Sequence, residues 1–106
     1  MLIEMRIYTC HAGRAAEFAE LYRRVGLAVQ LPVGGRLKGF YRTDVGDPNR
    51  VILIWEYESY EDRAGRRVKL AENRDWLAFL KQAAPMVASE ENMILSAVPT
   101  PEVKPA

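Results

Sequence analysis

The sequence predicts an α+β domain of ferredoxin-like type, βαββαβ: a four-stranded antiparallel sheet with helices on one face, the second helix broken. Three observations predict it. Four stretches alternate with period two, two intervening stretches carry apolar residues at helical spacing, and Gly46-Asp47-Pro48-Asn49 is turn chemistry joining two strands as a hairpin. The stretch Arg50 to Tyr57 is apolar on both sides, with Val51, Leu53, Trp55 and Tyr57 on one and Ile52 and Ile54 on the other. Helices on one face cover only one of these sides. The other would leave a large apolar patch on a monomer, so a homodimer with two sheets packed face to face is expected, with Leu53, Trp55 and Tyr57 as candidate interface residues.

In chain order, Leu2 to Cys10 sets Ile3, Met5, Ile7 and Thr9 against Glu4, Arg6, Tyr8 and Cys10, a strand whose first set reads as core. His11-Ala12-Gly13 breaks it, and Gly13 can cap the helix after it. Ala15, Phe18, Ala19, Tyr22 and Val25 then share one helical face, and the helix can continue past Gly26 until Pro32 stops it. The second strand runs from Arg36 to Val45, with Leu37, Gly39 and Tyr41 alternating against Lys38, Phe40 and Arg42. After the third strand, Ser59 followed by Asp62 marks a capping box, opening a helix with Tyr60, Ala64, Val68 and Ala71 expected inward. Asn73 caps a further helical segment with Trp76, Phe79, Leu80 and Ala83 on one face, ended by Pro85. Met86 to Val98 supplies the last strand. Residues 1–98 therefore form the domain, and residues 99–106, with three prolines, an extended, loosely held tail.

At 106 residues the chain is one domain, able to bury about 60–65% of its unfolded surface. A composition of 49% apolar and 27% charged residues is globular, and a net charge of +1 gives no electrostatic case for nucleic acid or an anionic membrane. No apolar run approaches the roughly 20 residues that cross a bilayer. One cysteine excludes an internal disulfide, and the N-terminus lacks the apolar core of a signal peptide, so a cytoplasmic protein is expected.

Four landmarks, in order, carry a resemblance: Glu4-Met5-Arg6-Ile7-Tyr8-Thr9 with the Gly13 turn; Thr43-Asp44-Val45-Gly46-Asp47; Ile54-Trp55-Glu56-Tyr57-Glu58-Ser59 with Asp62-Arg63; and Ser89-Glu90-Glu91-Asn92-Met93-Ile94-Leu95. From about Leu2 to Val98 the chain resembles the NIPSNAP family. That family is similar to the dimeric α/β-barrel superfamily, whose members pair two ferredoxin-like sheets into one barrel. The sequence departs from the family at His11-Ala12-Gly13, where a basic or polar residue and then Pro-Gly is more usual. Superfamily relatives include cofactor-light monooxygenases, haem-degrading enzymes, and isomerases or dehydratases, and fold analogy alone selects none of them.

The residues name few chemical groups. His11, the single histidine, sits where a cleft can open and could act as a general base, against the plainer reading of an exposed loop residue. Arg6 and Tyr8 share a strand face with Glu4; if buried, Arg6 needs a carboxylate, Glu4 or Glu56, and if open to a cavity it could clamp an anion. These three, His11, Arg6 and Tyr8, are the candidate catalytic residues. Tyr22, Tyr41 and Trp76 are candidate walls of a pocket for a flat organic ligand, against the plainer reading that most aromatics are core. Cys10 and His11 point apart on a strand and make no metal set, Gly34-Gly35 matches no phosphate or dinucleotide fingerprint, and no cofactor is expected. Two readings remain: a homodimer that binds or transforms a small organic molecule in a sheet–helix cleft, or a non-catalytic homodimeric protein-interaction module.

Overall fold

A computed structural model describes residues 1–102; the end of the expected loose tail, residues 103–106, lies outside the described residues. The elements occur in the predicted order: β1 (Leu2–Cys10), α1 (Ala15–Leu21), a π-helical turn (Tyr22–Gly26), α2 (Leu27–Gln30), β2 (Arg36–Arg42), β3 (Arg50–Tyr57), α3 (Tyr60–Ala71), α4 (Arg74–Ala83), a 3-10 turn (Ala84–Met86) and β4 (Val87–Leu95). The strands form one antiparallel sheet in the order β2-β3-β1-β4, the arrangement of a ferredoxin-like α+β fold. Among the described residues no helix is long and apolar enough to cross a membrane.

Local chemistry accounts for the boundaries. Ser59 Oγ accepts the Asp62 amide at 3.0 Å and Asn73 Oδ1 accepts the Trp76 amide at 3.0 Å, so α3 and α4 each begin on a side-chain cap with an acid in the first turn. Asp62 reaches back not to Ser59 but to the Glu58 amide, at 3.0 Å. Gly13 is not the cap of α1; that position is Arg14, without a side-chain cap, and Gly13 instead takes the turn at φ +80°, which other residues adopt at a cost. α1, the π-helical turn and α2 run as one rod, the helical conformation unbroken through Leu27 and Leu31. Gly26, at the end of the π-helical turn, lets this rod approach α4: a Cβ there would lie 2.8 Å from Phe79 Cζ.

The sheet's two faces are assigned oppositely to expectation. Beneath the helices lie Glu4, Arg6, Tyr8 and Cys10 of β1 with Val51, Leu53, Trp55 and Tyr57 of β3, all buried, while Ile3, Met5 and Ile7 turn the other way. Alternation shows which residues share a face but not which face the helices cover. Leu53, Trp55 and Tyr57, expected at a subunit interface, are therefore core residues of the subunit, with Leu53 and Trp55 fully buried and Tyr57 nearly so. The open face presents Ile3, Met5, Ile7, Ile52 and Ile54, joined by Met93 and Leu95 from β4. Met5 lies between Ile54 and Met93, Ile7 beside Ile52, and Ile3 beside Leu95.

Two further expectations are corrected. A register shift between Leu37 and Gly39 resets the alternation of β2, so that Leu37 and Phe40 both pack on the core while Tyr41 is exposed. On α3, Tyr60 and Val68 are exposed, and Leu70 is the one buried apolar residue. The inward side of that helix is polar: Arg63 reaches Glu4, and Arg66 bonds Asp62 and the Val33 carbonyl.

Candidate cleft between sheet and helices

A cleft of about 320 Å³ lies between the sheet and the helices, lined by Tyr8 from β1, Phe18 and Tyr22 from the first helical rod, Trp76 and Phe79 from α4, and Glu90 from β4, among others. Its size is at the lower end of small-molecule sites. The aromatic residues come from helical spacing: Phe18 and Tyr22 are one turn apart on α1 and its π-helical extension, and Trp76 and Phe79 are one turn apart on α4. Their rings meet edge to face around Tyr22, with centroids 5.8 Å from Phe18, 6.2 Å from Trp76 and 5.1 Å from Phe79. Such edge-to-face contacts are a preferred geometry of aromatic pairs.

The floor is polar and buried. Arg6 donates from Nε to the Tyr8 hydroxyl at 3.1 Å, from one terminal nitrogen to Glu4 at 3.1 Å, and from the other to Glu90. Glu4, with no exposed surface, also accepts a two-pronged bond from Arg63 of α3, at 3.2 and 2.9 Å. Burial alone would favour a neutral Arg6, but Tyr8, Glu90 and Glu4 surround the guanidinium and hold it charged. Burial likewise opposes the charge on Glu4, and the Arg63 and Arg6 contacts outweigh it, leaving the carboxyl below its ordinary value of 4.5.

Tyr8 and Tyr22 are both neutral hydroxyls at pH 7. Burial raises Tyr8, opposed in part by Arg6, and raises Tyr22 further, where the neighbouring Tyr8 adds to the effect. Tyr22 donates to Gln30, which is itself almost fully buried. The Tyr8 oxygen receives the Arg6 N–H and shares a hydrogen bond with the Tyr22 hydroxyl.

The depressed Glu4 carboxyl links stability to pH. A group whose pKa is lower folded than unfolded contributes fully above its unfolded value, and the contribution fades as pH falls towards the folded one. Stability is therefore expected to fall below about pH 4.5. Glu4→Gln should be less stable at pH 7, by about 1–3 kcal/mol, with a flatter acid limb. Thermal melts of both proteins between pH 6 and 3 measure this, and parallel curves would contradict it.

Of the candidate residues, Arg6, Tyr8, Tyr22 and Trp76 converge here, Tyr8, Tyr22 and Trp76 on the lining and Arg6 behind it. His11 does not: it is exposed, lies off the lining, and is held through its backbone, its amide donating to the Met86 carbonyl at 2.9 Å and its carbonyl accepting from the Arg14 amide at 3.0 Å. Tyr41, turned outward by the shift in β2, is also absent from the cleft. Glu56, the other carboxylate considered for Arg6, pairs instead with Arg36 at 2.5 Å. Sequence reasoning does not single out Glu90, Gln30 or Phe79 as site residues. For Glu90 a signal exists: in a sheet with β4 beside β1, the phase set by Ile94 places Asn92 and Glu90 across from Arg6 and Tyr8, as found. Among the described residues no three His, Cys, Asp or Glu side chains gather as a metal set.

The same architecture recurs in known proteins. A crystal structure of a NIPSNAP family protein from Agrobacterium tumefaciens superposes with a TM-score of 0.86 at 42% identity, covering 95% of this chain and 94% of that one. An uncharacterized NIPSNAP domain protein from Burkholderia xenovorans gives 0.87 at 34% identity, over 99% and 100%. An antibiotic biosynthesis monooxygenase matches at 0.64 with 16% identity, over 93% and 100%, a likeness of fold alone. The human protein NipSnap homolog 3B is 26% identical over 93 residues, 87% of this chain but 37% of its own length, so the chain spans about a third of that relative. The NIPSNAP family model matches residues 3–101, and the chain belongs to the NIPSNAP family.

Proposed function

We propose that the protein is a homodimer, joined through the open faces of its sheets into a barrel, in which each subunit binds a small organic molecule in its sheet–helix cleft. One observation carries the ligand reading: aromatic walls from the first helical rod and α4 enclose a cleft that has Tyr8, held by Arg6, and Glu90 on its lining. Such a site suits a flat, largely apolar body with one oxygen to place. Its chemistry on that oxygen would be hydrogen-bond polarisation of a carbonyl by Tyr8, with Arg6 holding the phenol in place. The dimer reading rests on the open face, whose apolar centre is bordered by Thr9, Arg50, Glu56 and Glu91 in the manner of an interface rim.

Calorimetric titration with 2-naphthol, a planar probe with one hydroxyl, tests the cleft. Saturable binding is expected, weakened about tenfold or more by Ala84→Trp, which fills the lining from the 3-10 turn. No saturable heat, or binding indifferent to that substitution, would sink the reading. The non-catalytic interaction module draws instead on the exposed Tyr60 and Val68 of α3. It predicts no binding in the cleft, so the same titration separates the two.

A further inference from the structure

We infer that Glu90 sets the charge selectivity of the cleft, admitting neutral aromatic ligands that donate a hydrogen bond and excluding carboxylates. This deepens the proposed ligand reading and rests on it. Among the described residues that line the cleft, Glu90 is the one with a formal charge. It stands on the edge strand β4, directly across from Tyr8 in the register, with 38% of its side chain open to solvent. Arg6 takes one of its oxygens; the other, Oε2, has no hydrogen-bond partner among the described residues. Asn92 adds to the clamp: with its amide turned to suit its neighbours, its nitrogen lies 3.3 Å from the same Glu90 oxygen and its own oxygen 3.1 Å from Arg6.

The arrangement of charge has two consequences. Arg6, which bonds two of the lining residues, is not itself on the lining; it is withdrawn behind Tyr8 and committed to Tyr8, Glu4 and Glu90. A ligand carboxylate entering the cleft therefore meets Glu90 with no cation on the lining among the described residues, and juxtaposed like charges disfavour it. A ligand O–H or N–H meets an acceptor instead, at Glu90 Oε2, while its own oxygen can accept from Tyr8. A phenol or enol on a flat apolar body satisfies both groups with a single hydroxyl, donating to Glu90 and accepting from Tyr8.

The test compares 2-naphthol with 2-naphthoate, which share a ring system and differ in charge at pH 7. The wild-type protein is expected to bind the naphthol about tenfold or more tighter. Glu90→Gln should bring the two within about twofold, chiefly by improving naphthoate, whereas Glu90→Asp, which keeps the charge, should retain the preference. Melting curves establish that both variants fold. Equal affinities in the wild type, or an unchanged preference in Glu90→Gln, would overturn the assignment of Glu90 and leave the cleft standing. Failure of both probes to bind would remove the cleft itself, and the selectivity with it.

Discussion

Trp55→Ala is expected to lower the unfolding free energy by about 3–5 kcal/mol without changing the state of association. The indole is fully buried at the centre of β3, on the helix-covered face, amid the cluster that includes Leu53, Phe18 and Tyr22. Removing it opens a cavity that rigid aromatic neighbours close poorly, so the loss combines transfer and cavity terms. Its N–H has no acceptor among the described residues, which already costs the folded state something. Trp55→Phe, which keeps a ring and removes the unsatisfied donor, should therefore lose markedly less than Trp55→Ala. Chemical denaturation measures both. A change below about 1 kcal/mol for the alanine variant would show that the ring is peripheral, and dissociation at unchanged stability would place it at an interface after all.

The neighbouring residue is expected to behave in the opposite way. Ile54 belongs to the open face, paired with Met5 of β1 on one side and Gly39 of β2 on the other. Ile54→Lys would place a charge at the centre of the proposed dimer contact, once from each subunit, with no carboxylate directly opposite it in the sheet. A desolvated, unpaired ammonium costs several kcal/mol, enough to weaken association by about two orders of magnitude or more. In the isolated subunit the same ammonium stays in water, and the core beneath the helices is untouched. Light scattering at micromolar concentration should show the wild type at twice 12.1 kDa and the variant at that mass. The variant should keep its helical signal, and its melting temperature should lose the concentration dependence of a dimer. A wild type that is already a single chain would refute the dimer, as would a variant that stays paired.

These two substitutions, one residue apart, mark the boundary between what the sequence and the fold each decide. Period-two alternation, the Asp47-Pro48-Asn49 turn and the two side-chain caps locate every strand and the α3 and α4 starts, because these signals act over a few residues and need no tertiary partner. The ferredoxin-like order was legible for the same reason. Side-chain caps at Ser59 and Asn73 could be named from residue type alone, since a hydroxyl or amide oxygen three residues from an orphan amide has one obvious use.

What the sequence could not decide was which face of the sheet the helices would take. Hydrophobicity favours burying Ile3, Met5 and Ile7, yet the helices lie on Glu4, Arg6, Tyr8 and Cys10. Those polar groups are tolerable there only because strands and helices far apart in sequence supply their partners: Arg63 for Glu4, Glu90 for Arg6. The same non-local pairing creates the cleft floor, and so Glu90 entered the site only once β4 lay beside β1. Tyr41 and α3 depart from the sequence pattern for related reasons, a one-residue shift in β2 and a helix anchored by arginines rather than by an apolar stripe. The sequence by itself determined the elements, their order and the surplus of apolar surface on the central strands. The tertiary structure alone decided which surface became core and which remained open, because that choice depends on how the helices pack on Val51, Leu53, Trp55 and Tyr57 and on partners for the buried charges that come from far along the chain.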